Sequence, residues 1–248
     1  ESQGGSDAVR ITADGCTFQG FAVTDAWAGS GISVESSNNV ITGNEIANSD
    51  HGVRLASGTS GNEVYSNTIS FTSTHGVYVD GSDGNVVHHN TITEVEAASG
   101  YGVYLGASSD GNVVHHNELD YTYMESKHNA YDETGTNTWY DTETSEGNWY
   151  SDYEGVDENE DGVGDTPYDI AGAGSAQDPY PLMPAAPPSA PSILPGSISA
   201  TVQSSSSVKV TWSTDQADSD HRVFYWSVSE YADGQYSDWE YETSTPAI

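Results

Sequence analysis

The chain has 248 residues, and its 5 Lys and Arg against 38 Asp and Glu give a formal net charge of −33. This charge excludes a surface built for nucleic acid or for an anionic membrane, because both are bound by basic side chains. The 16 Tyr and 6 Trp exclude a disordered acidic chain, which would have few aromatic residues.

The composition also bears on the setting of the protein. So little Lys is typical of proteins from high-salt organisms, where a short Debye length screens self-repulsion. The single Cys16 excludes a disulfide framework, and no apolar run is long enough for membrane insertion. The chain begins Glu1-Ser2-Gln3, without Met or a signal peptide, so we expect a mature or trimmed product of an exported protein.

Sequence repeats dominate the first half of the chain. The blocks are GISVESSNNVITGNEI (31–46), GVRLASGTSGNEVYSNTI (52–69), GVYVDGSDGNVVHHNTI (76–92) and GVYLGASSDGNVVHHNEL (102–119). Their last apolar residues, with that of a degenerate first block, recur in steps of 23, 23, 23 and 27 residues: Val23, Ile46, Ile69, Ile92 and Leu119. Each block has short period-two segments rich in β-branched residues, which predict strands with one apolar face.

A stack of such blocks buries the apolar faces as continuous columns, which no single block could do. Asn recurs two and seven residues before each of the last four apolar anchors, and stacked Asn side chains form hydrogen-bonded ladders. The sequence therefore predicts an all-β right-handed parallel β-helix over residues 1–128. A leucine-rich solenoid would need more Leu. The outward positions are predicted to be Ser33, Arg54, Tyr78 and Tyr104.

Two outward clusters follow from this register. The residues before three glycines join the outward strand positions in one face, which comprises His51, Arg54, His75, Tyr78, Tyr101 and Tyr104. Such a face is a candidate sugar platform, since aromatic rings stack on sugars, and equally a docking surface for another protein. The pairs His88-His89 and His115-His116 could hold a transition metal, but we favour an exposed ladder inherited by duplication.

Residues 129–183 no longer follow the repeat and are predicted to cap the β-helix. They contain N-A-Y-D (129–132), G-N-W-Y-S-D-Y (147–153), D-T-P-Y (165–168) and D-P-Y-P-L-M (178–183). With the repeats, these motifs resemble NosD-like β-helix proteins, also called the carbohydrate-binding and sugar-hydrolase (CASH) family, as found in archaeal secreted proteins. The resemblance implies an extracellular location. We do not carry over copper, because the chain has no Met- and Cys-rich cluster.

An Asp-rich loop in this cap has the spacing of a calcium loop. Oxygen ligands are predicted at alternate positions, with a backbone carbonyl from Val163: Asp157, Asn159, Asp161, Val163 and Asp165. Tyr168 stands where an EF-hand has a bidentate Glu, so Asp169, Glu154 or water would complete the site. We predict structural Ca²⁺ here, the alternative being an acidic turn that is merely solvated.

The last quarter of the chain has a different composition. Residues 184–191 (PAAPPSAP) predict a stiff linker, and residues 192–248 resemble part of a fibronectin type III-like module, with Trp212 as its buried Trp. Either the sequence stops early, which we favour, or another molecule supplies the missing strands.

The function predicted from these features is structural or adhesive. We expect a calcium-stabilised β-helix of a cell surface, filament or virion of a halophilic archaeon or its virus, with other copies of itself or surface proteins as partners. The alternative is a protein that binds or degrades polysaccharide through the Tyr and His face. Among 38 acidic residues a suitably spaced pair arises by chance, so this criterion for hydrolysis decides nothing. Catalysis is not favoured, because β-elimination of acidic polysaccharides would need a basic catalyst and Arg54 is the only base in the repeats after Arg10.

Overall fold

The computed structural model describes residues 6–96, 99–120, 129–172, 174–183, 199–204 and 207–211. All regular structure in these residues is β. The chain divides into two compact units, residues 1–185 and 186–248. Among the described residues, none form a helix of the length and apolarity needed to cross a membrane.

The strands are short and evenly spaced. In the coils they are β1 (Val9–Ile11), β2 (Thr17–Gln19), β3 (Ala22–Ala26), β4 (Ile32–Val34), β5 (Val40–Thr42), β6 (Glu45–Leu55), β7 (Glu63–Tyr65), β8 (Thr68–Val79), β9 (Val86–His88), β10 (Thr91–Thr93), β11 (Tyr101–Leu105), β12 (Val113–His115) and β13 (Glu118–Asp120). After them come β14 (Ala130–Asp132), β15 (Trp149–Tyr150), β16 (Tyr168–Asp169), β17 (Ala171–Gly172) and β18 (Gln177–Asp178), and the second unit has β19 (Ser199–Ser204) and β20 (Ser207–Thr211).

These strands form two parallel sheets along the solenoid. The larger sheet has the order β1-β4-β6-β8-β10-β13-β15, with β3, β11, β14 and β17 beside this path, and the smaller has the order β12-β9-β7-β5-β2. Every pairing in both sheets is parallel. The predicted all-β parallel β-helix is therefore confirmed, with about five turns.

The repeat length sets the register. Ile46 pairs with Val23 on one side and Ile69 on the other, one repeat away in each direction. The interior columns are almost completely buried: Ile41, Val64, Val87 and Val114; Ile46, Ile69, Ile92 and Leu119; Val53, Leu55, Val77, Val79, Val103 and Leu105. The apolar columns predicted from the repeat are thus the core of the protein.

Two ladders of buried Asn line the corners. In one, the Asn44 Nδ2 donates to Asn67 Oδ1 at 2.9 Å, and the Asn67 Nδ2 donates to Asn90 Oδ1 at 2.9 Å. The same oxygens also accept the backbone N–H of the preceding Asn. The other ladder runs through Asn39, Asn62, Asn85 and Asn112.

The cap continues both ladders and the core. Asn137 and Asn148 accept from the last Asn of each ladder, although their spacing differs from the repeat. Trp139 and Tyr150 are buried at the ends of apolar columns. The buried Asp178 ends one ladder by accepting the Asn148 N–H at 2.8 Å.

One of the positions predicted to point outward is covered by its neighbours. Ser33 lies on the outer side of β4, yet it is fully buried, because it is short and stands in register between Arg10 and Arg54. Within residues 192–248, β20 pairs with β19 in an antiparallel hairpin. The linker and the rest of the fibronectin-like module lie outside the described residues.

Candidate ligand-binding face and metal centre

The structure brings the predicted aromatic face together on one side of the larger sheet. His51 pairs with His75 and Tyr78 with Tyr104, because β6, β8 and β11 lie side by side in register. The rings of His51 and His75 stack with centroids 5.3 Å apart, and those of His75 and Tyr104 with centroids 4.5 Å apart. These contacts form a continuous row of rings across three coils.

Tyr131 extends this row by one coil. It pairs with Tyr104, and the two rings stack with nearly parallel planes and with centroids 4.8 Å apart. The sequence contained a signal for it, since Tyr78, Tyr104 and Tyr131 occupy equivalent positions before inward residues. We use the name aromatic face below for His51, Arg54, His75, Tyr78, Tyr101, Tyr104 and Tyr131.

Charged groups border the aromatic face. The Arg54 guanidinium contacts the Asp80 carboxylate at 2.5 Å, and the Tyr78 hydroxyl donates to the same carboxylate at 3.0 Å. The Tyr104 hydroxyl donates to Glu133 at 3.2 Å. Burial, helped by Glu133, raises the pKa of Tyr104 to about 12, so its hydroxyl keeps its proton at neutral pH.

The two imidazoles of this face are neutral and largely covered. His75 belongs to the outward face but is buried, because Tyr104 stacks on its ring. Burial and the neighbouring His51 ring lower the pKa of His75 to about 3, and burial also lowers the pKa of His51. The Tyr101 backbone N–H donates to His75 Nδ1, which must therefore be the unprotonated nitrogen.

A histidine cluster lies at the end of the smaller sheet. His88 and His115 pair in register with ring centroids 5.1 Å apart, which confirms the predicted stacking, and His89 stacks on His116 at 4.7 Å. His115, His116 and Asp141 place one ligand atom each within 4.8 Å of one another. Burial, with His88 next in effect, lowers the pKa of His115 to about 4.

Three carboxylates that contact or approach these histidines were not predicted. Glu63 lies one coil before His88, whereas Asp141 and Glu146 belong to the cap, where the repeat gives no register. Sequence spacing carried no signal for Asp141 and Glu146, because the cap loop that brings them to the histidines has no counterpart in earlier coils. We use the name histidine cluster for His88, His89, His115, His116 and Asp141.

The predicted calcium loop turns its oxygen atoms toward its own backbone. Asp157 accepts the N–H of Gly162 at 2.8 Å, Asn159 that of Asp161 at 3.1 Å, and Asp161 that of Val163 at 2.9 Å. Asp165 accepts the Glu158 N–H at 2.7 Å. Each of the four predicted side-chain ligands thus accepts a hydrogen bond from the backbone of the loop itself.

Neighbouring segments anchor this loop. Val163 forms an antiparallel bridge with Leu182, and Tyr168 points away, donating its hydroxyl to Asp152 at 3.0 Å. Tyr168 therefore does not replace the bidentate Glu of an EF-hand. Asp169, a predicted extra ligand, accepts the Gln177 amide at 2.7 Å.

Comparison with known proteins identifies the family of the β-helix. The family model described as "Periplasmic copper-binding protein (NosD)" matches residues 9–155, which is more than half of the chain. The chain belongs to the NosD family. No match to a curated protein or to a solved structure was found. NosD membership places the chain outside the cytoplasm, in a periplasmic or extracellular setting, as predicted.

The NosD match includes the aromatic face and the histidine cluster but ends before the Asp-rich loop. The copper in the family's description is therefore relevant to the first two sites and carries no information about the loop. The chain has one Cys and two Met but eight His, so imidazole is the most abundant of the side chains that suit copper.

Proposed function

We propose that this NosD-family chain is a structural and adhesive protein of a cell surface, a filament or a virion, and that its partners are other copies of itself or surface proteins. The aromatic face carries the proposal. Its rings are held in register by strand pairing and are partly buried, so little conformational entropy is lost when a partner covers them. The net charge of −33 supports a high-salt host, a halophilic archaeon or its virus.

A second candidate function, polysaccharide binding, is favoured by the same face. The row of rings that ends in the stacked Tyr104 and Tyr131 supplies apolar contact area, and the carboxylates of Asp80 and Glu133 lie beside it as hydrogen-bond acceptors. The acidic surface would repel polyanions, so a neutral polysaccharide is the matching ligand.

Replacing Tyr131 by alanine tests both functions. We expect the full chain in high salt to self-associate in sedimentation velocity, and the variant to lose at least about tenfold in association, since an aromatic hot-spot residue contributes about 2 kcal/mol or more to binding. Tyr140→Ala is the matched control, because Tyr140 packs on Tyr180 in the cap. The second assay measures how much of the protein is removed from solution by insoluble cellulose or chitin. If Tyr131→Ala reduces this binding but not self-association, polysaccharide binding replaces adhesion as the proposed function. A Tyr131 variant that behaves as the parent in both assays contradicts both.

We further propose that Ca²⁺ rigidifies the cap through Asp157, Asn159, Asp161, Val163 and Asp165. The support is the presence of four side-chain oxygen ligands at alternate positions of one loop, whose Gly162 has a φ of 87°, a conformation that glycine adopts readily. A bound ion would replace the loop amides as partner of these oxygens.

Calcium removal should lower the stability of the protein. At a Ca²⁺ concentration of about one hundred times Kd, binding adds about 2.7 kcal/mol to the free energy of unfolding. Melting followed by circular dichroism, with Ca²⁺ and then with a chelator, should show this loss in the parent and not in Asp157→Asn. Asp169→Asn, outside the loop spacing, should respond like the parent. Equal melting temperatures with and without chelator would contradict the calcium proposal.

A further inference from the structure

We propose that the histidine cluster is a binding site for one divalent transition-metal ion, with imidazole nitrogens and the Asp141 carboxylate as ligands. The cluster joins two consecutive coils of the β-helix to the cap. His115, His116 and Asp141 already place ligand atoms within 4.8 Å of one another, and the stacked His88 and His89 rings lie one coil below.

The backbone directs neighbouring imidazoles to the same side. Successive side chains of a strand point to opposite faces, but His89 and His116 each have a φ of 53°, which turns the chain at the end of β9 and β12. The Nδ1 atoms of His88 and His89 are consequently 2.8 Å apart, and those of His115 and His116 are 2.6 Å apart. Each pair thus directs two nitrogens into one space.

Carboxylates on the outer side of the rings set the tautomers. Glu63 lies 3.0 Å from Nε2 of His88, and Glu146 lies 2.7 Å from Nε2 of His116. A carboxylate accepts the Nε2–H, so the Nδ1 of His88 and of His116 is unprotonated and accepts the Nδ1–H of His89 and of His115. An ion would replace this proton, which can move to the Nε2 of His89 and of His115, and all the Nδ1 lone pairs would then be available to it. Metal-binding histidines commonly have this carboxylate partner on the second nitrogen, which orients the ring and raises its basicity.

Asp141 supplies an oxygen ligand from the cap. The turn that holds it is closed by hydrogen bonds between the backbones of Asp141 and Glu146, and one Asp141 oxygen accepts the Glu143 N–H at 2.8 Å. The second oxygen of this carboxylate can therefore contact an ion held by His115 and His116. One short turn provides both the ligand Asp141 and the ring-orienting Glu146.

Repeat duplication does not account for this arrangement. Duplication explains why His88-His89 and His115-His116 stack, but Asp141 and Glu146 lie in a cap loop with no counterpart in the coils. Their convergence on the histidines is a second, independent observation in favour of a metal site rather than an exposed ladder.

The ligand set selects the kind of ion. Imidazole nitrogens with a carboxylate suit Cu²⁺, Zn²⁺ and Ni²⁺, whereas Ca²⁺ and Mg²⁺ prefer oxygen ligands alone, and among the divalent ions Cu²⁺ binds such sites most tightly. The copper named in the NosD family description agrees with this order but identifies no residue. The donor set of this cluster fits the ion without any thiolate or thioether.

The test is a calorimetric titration of the full chain with Zn²⁺ and with Cu²⁺, in high salt and excess Mg²⁺ to occupy sites made of oxygen alone. We expect one ion per chain, and a Cu²⁺ electron paramagnetic resonance spectrum with couplings to imidazole nitrogen. His116→Asn should weaken binding about a hundredfold or more, and Asn tolerates the left-handed φ at this position. Glu146→Gln should weaken it about tenfold.

Glu118→Gln is the control, because Glu118 is exposed on a neighbouring strand and the hydrogen bond described for its side chain comes from Thr91. It should leave the affinity and the spectrum unchanged. Weak, multiple binding that His116→Asn does not alter would overturn the proposal, as would a Cu²⁺ spectrum with oxygen ligands only. Circular dichroism of each variant at the titration temperature establishes that loss of binding is not loss of fold.

Discussion

Replacing Asn67 by alanine is expected to lower the free energy of unfolding by roughly 3–5 kcal/mol, although it removes only a few atoms. The Asn67 Oδ1 accepts both the backbone N–H and the Nδ2 of Asn44. Each buried donor that loses its acceptor costs about 1–3 kcal/mol. The Asn67 Nδ2 also donates to Ile41, Tyr65 and Asn90, so the alanine leaves unpaired groups on both neighbouring coils.

Urea unfolding in high salt, followed by far-ultraviolet circular dichroism, measures this loss. The matched control is Thr68→Ala, because Thr68 is the next residue and its side chain is exposed, and we expect less than about 0.5 kcal/mol for it. Since each coil of a solenoid is stabilised chiefly by its neighbours, a central break in the ladder should weaken both halves. Equal effects of the two variants would show that the ladder adds nothing beyond packing.

The coils could be predicted from the sequence because one register repeats. Once Ile46 and Ile69 were placed in one column, the positions of Asn44 and Asn67 followed, and the structure confirms both. The same register placed the six predicted members of the aromatic face on three neighbouring strands. Stacking of equivalent residues is a property of the backbone, so it can be derived without knowing any side-chain conformation.

The sites could be predicted only in part, because they depend on features that do not repeat. The burial of Ser33 and His75 depends on the size of their neighbours, which changes from coil to coil. Asp141 and Glu146 reach the histidines through a cap loop whose length has no equivalent in the coils. Periodicity therefore identifies the scaffold and the outward stripes, whereas the closing ligands of a site require the fold of the cap.

Replacing Gly76 by alanine is expected to destabilise the protein by about 3 kcal/mol or more, at the upper end for an overpacked core. An added Cβ would lie 2.3 Å from Ile92 Cγ2 and 2.6 Å from the carbonyl oxygen of Gly102. The first contact is with the core column and the second with the backbone of the next coil. Gly52 is in the same position one coil earlier, with 2.4 Å to Ile69 and 2.6 Å to Gly76.

Gly76 is therefore required because no side chain fits between the coils at this position. Gly84→Ala is the control, because it introduces backbone strain without a steric clash. Gly84 has a φ of +60° and no heavy atom within 4 Å of an added Cβ, so its alanine should cost only about 1–2 kcal/mol of backbone strain. In urea unfolding, the free energy of unfolding of Gly76→Ala should be well below that of Gly84→Ala. The reverse order would mean that adjacent coils can move apart at little cost, which close packing of the Ile92 column argues against.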